Sequence, residues 1–296
     1  MRPRRKGSSV TCRWVMTCAV IVAWLAPGVT AAQTPAPPPA TQDDDVDRAD
    51  RRVNLAQPDF TLAALPTTLR VPRHGGAFRI THRFGRPLNQ GSFGDLLGDL
   101  FGLDQGALIG LEYRFGLLRG VQAGIHRSSD KTIQFMGQYN IRRQDDAVPI
   151  GLDLLVAIEG GDNFSEHHAP TVGVLLSREL GDRGALYVEP LFVSNSNPLP
   201  GELAENNSTF MIGLGARLRF RPTVYLMLEG TPRVSGYDPG VHQVSIGLEK
   251  RAGGHVFQLN FSNGLGTTLG QLARGGLKSR GSDDWHLGFN ITRKFF

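Results

Sequence analysis

The stretch DDWHLGFNITRKFF, residues 283–296, decides the fold. Trp285, Leu287, Phe289, Ile291 and Phe295 share one phase of a two-residue repeat, and Arg293 is the one polar exception. His286, Gly288, Asn290, Thr292 and Lys294 fill the other phase. A strand with that alternation has one face in an apolar medium and one in a polar medium. The same alternation extends back through the chain. Segments 77–84, 107–115, 120–128, 132–143, 149–159, 171–180, 185–193, 209–220, 223–233, 242–250, 255–263 and 285–296 make about twelve strand candidates.

The connectors sort by length. Those after the second, fourth, sixth, eighth and tenth candidates are short, and those after the first, fifth, seventh and eleventh are long. The three-residue SDK after the third breaks the rule. Outer-membrane barrels have short periplasmic turns and longer outer loops. The expected fold is therefore all-β, a closed antiparallel transmembrane β-barrel. A soluble sandwich shares the local pattern, but Arg and Glu recur here in mid-strand with glycines on the same face. Segments 92–102 and 269–276 read as short helices on the rim.

The N-terminus reads as an export leader. Arg2, Arg4, Arg5, Lys6 and Arg13 precede a short apolar core, and VTAAQ (29–33) supplies small residues for cleavage, so 1–32 is read as a signal peptide. The apolar core is shorter than the roughly 20 residues of a spanning helix. Those five basic residues are part of the whole-chain 32, while none of the 27 acids lies in 1–32, so the remainder balances at 27 against 27. A nucleic-acid role loses its main support. Both cysteines, Cys12 and Cys18, also belong to the leader, which excludes disulfide or thiol chemistry from the rest. Residues 33–75 form a Pro-rich and acidic linker, followed by an N-terminal arm that docks on, or just inside, the barrel of 76–296.

The phase assigns faces. Ile109, Leu111, Tyr113, Phe115, Phe135, Tyr139, Leu152, Leu154, Phe210, Ile212 and Leu214 are expected to face lipid. Arg79, Arg83, Glu112, Arg114, Asp153, Glu189, Arg217, Arg219 and Glu229 are expected to line the lumen. Arg suits bidentate pairing in a confined space. Twelve strands fall between filled barrels and open porins, so a packed salt-bridge network and a solute passage both remain open. The chain end resembles the last strand of outer-membrane barrels, which is read by the barrel assembly machinery and closes against strand one. Phe295 and Phe296 are the expected insertion signal, with Phe295, not Phe296, in the outward phase.

Stretches RITHRFGR (79–86), RSSDKTIQF (127–135), SRELGDRGALYVEP (177–190), GGHVFQLNFSNGLGTT (253–268) and HLGFNITRKF (286–295) resemble the bacterial membrane-bound β-barrel family DUF5777. The resemblance covers roughly residues 65–296. It implies an outer-membrane barrel and carries no activity or site.

Catalytic and metal motifs are weak. NFSNG (260–264) partly resembles the His-x-Ser-Asn-Gly motif of outer-membrane phospholipases, but Asn260 stands where the base is needed. Ser262 then lacks an activating partner; His286 is the best substitute. EHH (166–168), read as loop, offers adjacent residues that rarely converge on one ion. His82 is expected at the headgroup interface beside Phe84. No catalytic, cofactor or metal residue is assigned. The expected partners are outer-membrane lipid and the assembly machinery. The expected role is a passive pore or structural barrel, with a lipid hydrolase or a soluble exported binding barrel as alternatives.

Overall fold

The computed structural model describes residues 48–296 except 103–105, 146, 198–206, 237–240 and 280. The leader and the linker as far as residue 47 lie outside the described residues. Twelve strands follow one another: β1 (Gly76–Phe84), β2 (Ala107–Leu118), β3 (Val121–Ser128), β4 (Ile133–Arg142), β5 (Gly151–Gly160), β6 (Glu166–Glu179), β7 (Gly184–Ser194), β8 (Ser208–Arg221), β9 (Val224–Thr231), β10 (Gln243–Ala252), β11 (His255–Ser262) and β12 (His286–Phe295). Each pairs antiparallel with its sequence neighbours. The sheet closes where β12 meets β1, from Gly76 opposite Phe295 to Arg83 opposite Gly288. Beyond Pro232, the extension Arg233–Ser235 continues β9 and pairs back to β8. Closure removes every free edge, so each strand finds backbone partners on both sides.

One end carries the tight turns, such as Arg119–Gly120 and Gly253–Gly254, and is called here the turn end; the other is the loop end. The connection after β5 corrects the sequence reading. It is only Gly161–Ser165, because β6 begins at Glu166 and takes in EHHAP. Pro170 reads as a loop residue, but it pairs with Ile158 of β5, one residue beyond the last β6–β7 pair, Thr171 with Val193. A proline is tolerated where one ladder is missing. The helix α1 (Phe93–Gly98) sits in the β1–β2 loop, closed by a capping box between Ser92 and Asp95.

The outer face is apolar all round. Leu111, Tyr113, Ile125, Phe135, Leu154, Val172, Phe192, Leu214, Ile246 and Leu259 are among the large apolar side chains exposed on it. Water-soluble monomers rarely expose apolar patches above a few hundred Å², so a belt around the whole circumference marks a lipid-facing surface. His82 stacks on Phe289 at 4.8 Å and lies 4.5 Å from Phe84 near the loop end. Such aromatic groupings suit a membrane–water interface.

Candidate functional site: a lumen filled from both ends

The inward positions divide into two walls. On β1, β2, β3 and β10–β12 they are mostly polar: Arg79, Arg83, Glu112, Arg114, His126, Glu249, Gln258 and Asn290 are all buried. On β5–β9 many are apolar: Leu155, Leu175, Leu191, Met211 and Met227 have no exposed surface. A wall that is apolar on both faces needs an apolar filling on its inner side.

The arm supplies that filling. It enters at the turn end, rises into the barrel, and returns to start β1. Its tip is a narrow reversal in which Leu62 N donates to Leu65 O (2.8 Å) and Thr67 N to Phe60 O (2.8 Å). Leu62, Ala63 and Leu65 are fully buried and belong to one apolar cluster with Leu155, Leu175, Leu191, Met211 and Met227. Two inward glycines of β8 make this approach possible. A Cβ on Gly215 would lie 2.2 Å from Leu62 Cδ1, and one on Gly213 2.9 Å from Leu65 Cδ1.

The polar wall grips the backbone of the same tip. Arg79 Nη2 donates to Ala63 O (2.5 Å) and Leu62 O (3.3 Å), and Arg83 Nη2 to Ala63 O (3.1 Å). Gln258 Nε2 reaches Leu62 O (3.2 Å) and Asn290 Nδ2 reaches Ala63 O (3.2 Å). Glu229 Oε2 accepts from Ala64 N and Leu65 N, each at 2.9 Å. Arg217 Nη2 donates to Thr61 O (2.8 Å) and Nη1 to Asp59 O (3.2 Å), while its Nε and Nη2 hold Glu249 at 2.6 and 2.8 Å. Thr292 Oγ1 donates to Asp59 Oδ2 (2.8 Å). These peptide groups of the arm tip are thus satisfied by charged and amide side chains, which is what lets an irregular segment sit inside the barrel.

The nine expected lumen residues do not all meet the arm. Glu112 pairs with Arg114 Nε, whose Nη2 donates to Thr61 Oγ1 (3.1 Å). Asp153 accepts from Gln138 and Asn140, each at 2.6 Å. Glu189 is fully buried, and neither carboxylate oxygen has a hydrogen-bond partner among the described residues. Arg219 stands apart at the turn-end rim, donating to Asp182 O (3.1 Å) with a half-buried side chain. Phe295 is on the outer face, and Phe296 meets the arm's Phe60 edge-on at 6.4 Å.

The loop end is filled by the β11–β12 connection. Its helix α2 (Leu269–Ala273) is wholly buried, not on the rim as its sequence suggests. Thr268 Oγ1 donates to Glu159 Oε2 (2.6 Å), Gly270 N to the same oxygen (3.0 Å), and Arg274 Nη2 to Glu159 Oε1 (2.8 Å). Leu269 N donates to Gln134 Oε1 (2.8 Å). Leu269, Leu272 and Ala273 join the apolar cluster that holds the arm. Glu159 was not singled out from the sequence, although it lies in the inward phase. At the turn end a polar cavity of about 420 Å³ remains beside the arm, with Gln57, Arg70, Asn140 and Glu179 among its lining.

The motifs do not assemble into chemistry. Ser262 lies opposite His286 on the ladder, but its hydroxyl accepts from Ser245 Oγ (3.0 Å) and Gly264 N (3.2 Å). His286 Nδ1 is instead at Phe84 O (3.0 Å). His167 and His168 face Glu166 and Phe164 O separately, at 3.7 and 3.1 Å. Among the described residues no group of three His, Cys, Asp or Glu could hold a metal ion.

The sequence matches the family described as membrane bound beta barrel domain (DUF5777) over residues 59–295. That match takes in the tip of the arm as well as the twelve strands. No curated protein matches the sequence significantly. Among solved structures, the NanC porin is similar at 10% identity, covering 75% of this chain and 99% of that one, with a TM-score of 0.48. The KdgM porin is similar at 8% identity, with 75% and 99% covered and a TM-score of 0.44. LpxR from Salmonella typhimurium is similar at 12% identity, with 74% and 100% covered and a TM-score of 0.38.

Proposed function

We propose that this chain, which belongs to the membrane-bound β-barrel family DUF5777, is a non-enzymatic outer-membrane passage barrel held shut at rest by its own N-terminal arm. The observation that carries this reading is the grip on the arm tip. Arg79, Arg83, Arg217, Glu229, Gln258 and Asn290 all spend hydrogen bonds on the backbone of Asp59–Leu65. These contacts are to peptide groups, which water can replace. Withdrawal of the arm would leave a wall of arginines and carboxylates that hydrates readily, and the conduit so formed would favour small charged solutes.

The test is conductance in planar bilayers. The intact protein is expected to be silent, and a variant lacking residues 48–75 is expected to give steady channels. Residues 62 and 215 converted to cysteine place a crosslink between arm and wall, with no native thiol outside residues 1–32 to interfere. Oxidation should hold the intact form closed under any condition that opens it. Silence of the arm-deleted barrel, once inserted, would sink the passage reading.

A structural barrel is the second reading. It is favoured by the single apolar cluster that joins arm, wall and α2, the arrangement of an ordinary folded core. It expects the arm-deleted form to unfold instead of conducting. A lipid hydrolase is a third, and it has the least support, since among the described residues Ser262 meets Ser245 and Gly264 while His286 turns to Phe84 O.

A further inference from the structure

Arg293 is the residue the strand pattern does not absorb. It occupies the outward phase of β12, between Ile291 and Phe295, on a face otherwise given to lipid. A guanidinium in that position is costly near mid-membrane and tolerable at an interface. Its height is fixed by register: Arg293 is opposite His255, the first residue of β11 after the Gly253–Gly254 turn. The site is therefore at the turn-end boundary of the belt.

A second basic residue stands directly beside it, and a third lies one pleat away. Arg293 Nη1 is 3.2 Å from His255 Nδ1. On the next strand Lys250 also faces outward, opposite Phe257, and gives Thr223 Oγ1 one hydrogen bond of 2.9 Å. None of the three pairs with a carboxylate among the described residues, although Arg79, Arg114, Arg217 and Arg274 inside the barrel all do. Three cationic or protonatable groups on three successive strands thus keep donors to spare. Aromatic rings frame them. The Phe295 ring centroid is 5.9 Å from Arg293 Cζ, and Phe257 stacks on His255 at 5.8 Å. Leu248, Leu259 and Ile291 continue the same face as an apolar track toward the membrane centre.

We infer that Arg293, His255 and Lys250 form a site on the outer wall of β10–β12 for the phosphate of an anionic membrane phospholipid. The planar guanidinium suits two phosphate oxygens at once, and the ammonium adds a point charge. Basic groups at a membrane surface attract anionic headgroups. The apolar track is what selects a lipid over a free anion: acyl chains lie along it, whereas inorganic phosphate gains nothing there.

The test uses the full protein in detergent, titrated with phosphatidylglycerol and followed by native mass spectrometry. Phosphatidylglycerol is expected to stay bound, phosphatidylcholine to be held far less, and inorganic phosphate at equal concentration not to compete. Arg293→Ala and Lys250→Ala are each expected to weaken phosphatidylglycerol binding about fivefold. Arg293→Lys should recover part of the loss. Arg127→Ala, which removes an outward arginine at the loop end, should change nothing. Heat-dependent gel migration verifies that each variant is folded, and His255→Ala serves if Arg293→Ala does not fold. Unchanged affinity in the folded variants, equal retention of the two lipids, or displacement by inorganic phosphate would each overturn the site.

Discussion

Leu214 and Gly215 are neighbours with opposite duties. Leu214 is in the lipid belt at the middle of β8, and Gly215 faces Leu62 of the arm. Leu214→Arg should cost about 2–4 kcal/mol for a charge at mid-membrane, seen as loss of the assembled, heat-shifting species. Gly215→Leu should spare insertion and displace the arm, seen as faster proteolysis within residues 48–75. The Arg217–Glu249 pair gives a second expectation at this scale. Both side chains are fully buried, so Arg217→Ala strands Glu249 and should cost about 3–5 kcal/mol. A double replacement by Met and Leu should cost much less, because no lone charge remains. Urea midpoints in micelles measure both. The inward or outward aim of each such residue is readable from a period of two. What Arg217 holds is not, because its partners at Asp59 and Thr61 are backbone atoms more than 150 positions away.

At the scale of elements, the two fillings behave differently. Helix α2 is held by Thr268, which caps it and reaches Glu159. Thr268→Ala should cost about 1 kcal/mol through the cap and speed amide exchange across 269–273. Helix α1 lies in the β1–β2 loop and is mostly exposed, and its Asp95 carboxyl is held below the usual range by the Ser92 backbone and hydroxyl hydrogen bonds. A depressed folded pKa stabilises above the ordinary value of about 4 and is lost as pH falls through the lower value. Asp95→Ala should therefore loosen α1 at pH 7 and make less difference as pH falls through the lowered value, by amide exchange.

All twelve strands were legible from the period of two, most sharply where one face is polar, as in β2 and β10–β12. In β5–β9 both phases carry apolar residues, which is itself a signal that the lumen is not water-filled. The apolar patch in FTLAALP (60–66) was the matching half of that signal. Joining the two needs the third dimension. The start of β6 was missed because Pro170 normally ends a strand. Helix α2 was placed on the rim because five residues are too few to show an amphipathic period.

For the whole molecule, a continuous apolar belt and a closed ladder have one bulk consequence. Strands of 8–14 residues, tilted as barrels require, span about the 25 Å of a barrel's apolar band. The protein should leave membranes only with detergent and should migrate differently before and after boiling. Recovery as a stable soluble monomer would contradict the lipid-facing assignment of the belt.

The arm touches both sides of the closing seam. Arg79 on β1 holds it at Ala63, and Thr292 on β12 holds it at Asp59. A segment that bonds the first and last strands of a ring ties its seam from within. The arm cannot be threaded between these strands after they have zipped along their full length, except by way of the turn-end mouth. It precedes β1 in the chain, so it is at hand while the later strands are added. The expected part of such a segment in closure is a mandrel's: with residues 48–75 removed the ring should still close, but the heat-shifting species should appear more slowly on refolding.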